Sequence, residues 1–214
     1  MQIIRLPHLG FFLSLSMLCA PLTFAGDAGK HIADTNRVTY QQTESNLVPV
    51  EIADARVTTG KTLPILDISD GGEISVNESS IIKRPWNSKC LEEKGKVQLI
   101  QYIAANRKAI GQNKPFTQSL MQKGFSPEQL DTTIIVHMAN TFAITRGIAA
   151  KKIASNKIKH DYVNFVIDDK GVGLERWGMK PKSFAIIVLD ADGKVLFAKD
   201  GPLSDIEIKN TLEL

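Results

Sequence analysis

Thiols, imidazoles and clustered carboxylates are the side chains that most readily do chemistry, and this chain is sparing with all three. Its 214 residues include two cysteines, Cys19 and Cys90, and four histidines. A thiolate exchanges with a disulfide when a helix N-terminus or nearby cations lower its pKa and a second thiol resolves the intermediate. Cys90 lies between Lys89 and Leu91, with Glu92 and Glu93 offsetting Lys89 and Lys94, and no helix start is predicted beside it. A buried, inert thiol is expected; a link to another chain or a reactive thiol are the alternatives. His31, His137 and His160 stand at no metal-ligand spacing. Zinc takes three or four protein ligands, so structural or solvated roles are expected for them and no metal is assigned. Asp190 and Asp192 flank Gly193 without the further oxygens and bidentate glutamate of a calcium loop, and read as a hairpin turn. Phosphate-binding loops, dinucleotide fingerprints, Gly-x-Ser-x-Gly elbows and His-Glu-x-x-His pairs do not occur. No catalytic residue and no cofactor follow from the sequence.

One stretch does have positional content. Lys94 to Ile110, KGKVQLIQYIAANRKAI, reads as a buried strand that runs through a turn into a helix. At that turn stand Asn106, Arg107 and Lys108. Cations beside exposed helix N–H groups make a candidate anion site for a carboxylate or phosphate. The alternative is a solvated surface turn.

The elements that must position this turn follow from periodicity. Leu63 to Ile68 and Glu73 to Val76 alternate apolar and polar residues across Ser69-Asp70-Gly71-Gly72, which predicts a hairpin. Val97 to Ala104 suits a central strand. Asn113 and Pro115 predict a helix start, and Gly124 its end. Asp131 to Met138 and Tyr162 to Ile167 are strands around a helix from Ile144 to Asn156, and a short GVGLERWG segment follows. Ala185 to Leu189 and Lys194 to Ala198 form a closing hairpin, and Ser204-Asp205-Ile206-Glu207 is a capping box that opens a last helix. Trp86 and Trp177 are expected in core or rim packing. The order predicts an α/β fold, a mixed sheet flanked by helices with an N-terminal β-hairpin.

The first 25 residues read as a secretory signal: Arg5, an apolar run from Leu9 to Leu22, and Thr23-Phe24-Ala25 as a cleavage site after Ala25. Pro7 and Pro21 bracket about 13 residues, short of the ~20 a membrane-spanning helix needs. Ser16-Met17-Leu18 is a poor lipobox ahead of Cys19. No stable membrane anchor is expected, and export would place the product in the periplasm of a Gram-negative host. Removal of residues 1–25 leaves 189 residues with 25 basic and 23 acidic side chains. That net charge gives no ground for a nucleic-acid partner or an anionic membrane surface. Residues 26–56 form a polar arm or linker, in which VPVEIADARV is the one segment patterned to add a strand. Residues 57–214 form the domain.

This order resembles a thioredoxin-like fold, and the chain is similar to the YtfJ family of periplasmic bacterial proteins. The resemblance rests on Trp86-Asn87-Ser88 ahead of Gly95-Lys96-Val97, on the strand ending Tyr102-Ile103-Ala104, and on Thr132 to Val136. Phe165 to Asp168, Ala185 to Asp190 and Ala198 to Gly201 complete it, in order and with compatible spacing over residues 57–214. It implies fold and compartment more than chemistry, because the family has no established activity. Thiol-active thioredoxins carry a cysteine pair at the turn; here Arg107 and Ile110 take those positions, and neither exchanges disulfides. Their cis-proline aligns with Phe184, with Pro181 three residues early. The resemblance implies a non-catalytic binding or interaction module, whose partner is a periplasmic protein or a small anionic ligand. The alternative is a redox or peroxidase-type enzyme using Cys90.

Overall fold

Val97–Ala104 carries apolar or amide side chains throughout and is buried almost along its whole length, which makes it the middle of the sheet. In the computed structural model, residues 56–77, 80–92 and 95–214 are described; the expected signal segment and nearly all of the expected arm lie outside them. Seven strands form one mixed sheet: β1 (Asp67–Asn77), β2 (Ser80–Asn87), β3 (Val97–Ala104), β4 (Leu130–His137), β5 (Asn164–Asp168), β6 (Phe184–Leu189) and β7 (Val195–Asp200). Their spatial order is β2-β1-β5-β4-β3-β6-β7. β3, β4 and β5 run parallel, joined through α1 (Arg107–Lys123) and α2 (Ala143–Lys159), whereas β6 lies antiparallel to β3. α3 (Val172–Arg176) follows β5, and α4 (Asp205–Thr211) closes the chain.

The two parallel crossovers step the same way along the sheet, so right-handed connections put α1 and α2 on one face. α1 packs on β3 and β6, and α2 on β1 and β5. The opposite face carries an apolar cluster that includes Leu66, Ile68, Trp86, Ile100, Tyr102 and Trp177. Both tryptophans are core residues, as expected.

Three expectations need correction. Gly71-Gly72 is not a turn. The chain runs through it as one strand, and β1 pairs instead with β2, its register slipping between Ile68 and Glu73. Both glycines have positive φ, 107° and 87°. A Cβ on Gly71 would lie 2.2 Å from the Ile167 carbonyl oxygen, and one on Gly72 1.9 Å from that of Arg84. The pair marks a bulge squeezed between two neighbouring strands.

The first long helix begins before its proline. Asn106 is the N-cap, its Oδ1 accepting from the Ala109 N–H at 2.9 Å, and Pro115 lies inside α1, where its ring removes one helical donor. Asn113, expected at the helix start, is buried; its Nδ2 donates to Gln101 Oε1 at 2.7 Å and so fastens α1 to β3. Gly124 ends the helix in the left-handed conformation, as predicted.

Cys90, expected to be buried, is exposed. It belongs to a short 3-10 turn, Ser88–Leu91, that buries Ser88 and Leu91 and turns Cys90 outward.

The closing elements match their sequence signals. Asp190 Oδ1 accepts from the N–H groups of Asp192 and Lys194, each at 2.9 Å, which accounts for that loop as a turn. Ser204 and Glu207 form the capping box. Lys199 donates to Glu207 at 2.6 Å, and this bond, with those from Ser204, holds the Glu207 carboxyl at about 2.

Gly72→Ala is expected to destabilise the domain by about 2–3 kcal/mol, because strain and a backbone clash act together. Gly124→Ala, with positive φ but nothing within 4 Å of the added carbon, should cost about 1 kcal/mol. Urea unfolding of the two variants checks the difference; equal costs would mean the ladder opens to admit the methyl group.

Candidate functional site

β3, β4 and β5 end at the same edge of the sheet, so the loops that follow them gather there. Such an edge is where open α/β sheets usually hold ligands. The joins are tight: the Ala105 N–H donates to the His137 carbonyl at 3.1 Å, and the Met138 N–H to that of Asp168 at 2.9 Å.

Beneath this edge lies a buried polar constellation. Asp168 is fully buried and accepts four hydrogen bonds. Tyr102 Oη donates to Oδ2 at 2.8 Å, and the N–H groups of Gly171, Val172 and Gly173 donate at 2.7, 2.9 and 3.0 Å. A β5 carboxylate thus anchors the start of α3 and the phenol of the central strand. Gly173 makes the approach possible, since a Cβ there would lie 2.5 Å from the Tyr102 ring. Burial, then the charge and hydrogen bond of Asp168, push the Tyr102 hydroxyl far above its usual range.

His137 is the register neighbour of Asp168 on β4. It is 3 % exposed, and its ring stacks on Tyr102 with centroids 5.2 Å apart and planes 13° from parallel. Neither ring nitrogen has a hydrogen-bond partner among the described residues. Desolvation lowers its pKa, against a smaller upward pull from Asp168. Trp177 closes the group, edge-on to Tyr102 at 5.9 Å, with its Nε1 donating to the Pro64 carbonyl at 2.8 Å. His137 is thus buried in the group rather than solvated, the two placements the sequence left open for it. His160 packs edge-on against Tyr162, and His31 lies outside the described residues.

Asn106, Arg107 and Lys108 sit above this group at the start of α1. Asn106 spends its side-chain oxygen on the helix cap, while Arg107 and Lys108 are exposed and the first turn holds no acidic residue. Across the edge, the Ala104 N–H donates to the Ser183 carbonyl at 3.0 Å, and Phe184 opens β6 opposite Ile103. Just before it, Lys182 has φ of 64°, the one non-glycine residue with positive φ among the described residues. Backbone strain thus stands two residues before Phe184, the position at which the resemblance implies a proline. Cys90 is placed by the Ser88–Leu91 turn, an element apart from this edge. Sequence reasoning overlooked Asp168 as a site residue. Its signal was Asp168 ending an apolar strand with Gly171 three residues on, the spacing that lets a side chain cap the next turn.

A family described as a bacterial protein of unknown function (YtfJ_HI0045) matches residues 57–214. The chain belongs to the YtfJ family. It is 29 % identical to the uncharacterised YtfJ of Escherichia coli K12 over 168 residues, 78 % of this chain and 90 % of that protein. An uncharacterised Haemophilus influenzae protein is 30 % identical over 154 residues, covering 72 % and 83 % of the two chains. Among solved structures, the chain is similar to the thioredoxin domain of a thiol-disulfide oxidoreductase from Bacteroides vulgatus. The TM-score there is 0.48 at 16 % identity, over 73 % of this chain and 96 % of that one. This YtfJ-family domain has an α/β fold, a mixed seven-stranded sheet with four helices.

Because the His137 pKa lies below its ordinary value of 6.5, the unfolded chain takes up the proton first. Its contribution to stability is complete above about pH 6.5 and declines as the pH falls toward the folded-state value. His137→Phe keeps an aromatic ring on Tyr102 and removes the proton site, so the fall in urea midpoint between pH 6.5 and about pH 5 should flatten; an unchanged slope would assign it to other groups. Tyr102→Phe should cost about 1.5–3 kcal/mol, the range for a hydrogen bond to a charged group.

Proposed function

We propose that this protein is an exported, periplasmic binding or interaction module that performs no thiol–disulfide exchange. The turn at Asn106, Arg107 and Lys108 receives a carboxylate or phosphate group of its ligand or partner protein. The observation that carries this reading is the start of α1 at Arg107. Where thiol-active proteins of this fold hold their cysteines, this chain has a capped helix opening with two exposed cations. Neither Arg107 nor Ile110 can attack a disulfide, whereas first-turn amides and cations suit an anion. The apolar run from Leu9 to Leu22 and the Thr23-Phe24-Ala25 site support export.

The exposure of Cys90 favours a second reading, redox or peroxidase-type chemistry at that thiol. Exposure meets only one of the conditions for a reactive cysteine, since a helix N-terminus or an excess of cations must also lower the thiol pKa.

Two measurements separate the readings. Insulin reduction and peroxide consumption should proceed at the background rate in both the native protein and Cys90→Ser. Titration with inorganic phosphate and with succinate should give binding that weakens at least about tenfold, or ~1.4 kcal/mol, in the Arg107→Ala, Lys108→Ala double variant. Turnover that scales with protein and vanishes in Cys90→Ser would establish the enzyme instead. Phosphate and succinate affinities unchanged in the double variant would remove the anion site.

A further inference from the structure

The small net charge conceals a segregation. α1 carries four basic residues and α2 five, and neither helix contains a single Asp or Glu. Both lie on the same face of the sheet, by the handedness of their crossovers. The ion pairs Lys83–Asp169, Lys170–Asp70 and Lys199–Glu207 join residues of other elements.

The outward side of α2 is also apolar. Ile153 and Ala154 are the residues it buries against the sheet. Ile144, Ile148 and Ile158 recur at intervals of four and ten residues, on the side turned to solvent. Ile144 is 83 % exposed and Ile158 65 %; Phe142, the residue that precedes the helix, is 86 % exposed. Lys151 and Lys159 are exposed on the same stripe, with Lys152 half-buried beside them. Lys157 and Arg146 are engaged with nearby backbone carbonyls and lie off this stripe.

We infer that this face of α2 is a reversible docking surface for an anionic phospholipid surface. Phe142 and Ile144 enter the headgroup layer, and the lysines lie against the phosphates. Charge complementarity selects an anionic partner: a helix without acidic residues repels cations and offers nothing to them. The shape selects a planar one. The apolar side chains project from a convex helix and line no concavity, whereas the energetic centre of a protein interface is a packed pocket. A helix with isoleucine and lysine interleaved on its free side is suited to lie in a membrane interface, with affinity from buried apolar area plus attraction to anionic lipid. None of the described helices is long and apolar enough to cross a membrane, so the contact is one of lying on the surface. It is independent of the anion site proposed at the start of α1.

Fluorescence of Phe142→Trp in the full chain tests this directly, because Trp86 and Trp177 are buried and their environment stays constant. Vesicles of phosphatidylglycerol and phosphatidylcholine should shift the new emission to the blue. Pure phosphatidylcholine should not, even if residues 9–22 hold the chain to both kinds of vesicle. Raising salt to about 0.5 M should reverse the shift. Adding Lys151→Glu and Lys152→Glu should weaken the lipid dependence about a hundredfold or more. If that variant fails to fold, salt reversal and the vesicle comparison still decide the matter. No shift with anionic vesicles, an equal shift with neutral ones, or a shift produced only by an acidic protein such as polyglutamate would overturn the proposal.

Discussion

The four hydrogen bonds accepted by the Asp168 carboxylate tie together parts of the chain that would otherwise meet only through apolar contact. A buried carboxylate is tolerable when donors surround it, and here they come from the central strand and from three successive amides at the start of α3. Tyr102 is thereby fixed in orientation, and two rings rest on it, His137 by stacking and Trp177 by its edge. Trp177 in turn reaches Pro64, so the segment leading into β1 is bound to the same group. One carboxylate thus links β5, the central strand and the start of α3 near the strand ends from which the surface loops depart.

This arrangement separates structural from functional demands. The buried titratable groups at the strand ends are either satisfied internally, as Asp168 is, or have their charged form disfavoured by desolvation, as His137 does. The surface above them carries what remains available to partners: a capped helix start with two cations, and a second helix whose free side mixes isoleucine with lysine. The Asn106 side chain completes the helix by accepting from the Ala109 N–H, and Arg107 and Lys108 stand exposed beside the remaining first-turn amides.

Much of the fold was legible in the chain. β3 announced itself by an unbroken run with no charged residue, the last hairpin by Asp190 and Gly193, and α4 by its capping box, because each depends on contacts within a few residues. The misreadings share a cause. Gly71-Gly72 has the composition of a turn, but its use is decided by β5 and Arg84, which approach from either side. Pro115 has the composition of a helix start, yet Asn113 reaches Gln101 across the interface, and the helix begins six residues before Asn113, capped by Asn106. Cys90 is turned outward because Leu91 is the better residue to bury.

By itself the sequence determined the family, the order of strands and helices, and the absence of cysteine from the turn after β3, since periodicity, caps and residue identity are local and survive without coordinates. It also supplied the lysines and isoleucines of α2. Only the tertiary structure decided that Tyr102, His137 and Asp168, separated by as many as 66 residues, would share one buried site. It likewise decided which side of α2 the sheet would leave uncovered. Both outcomes depend on strand register and crossover handedness, which assemble distant segments and leave no signature within any one of them.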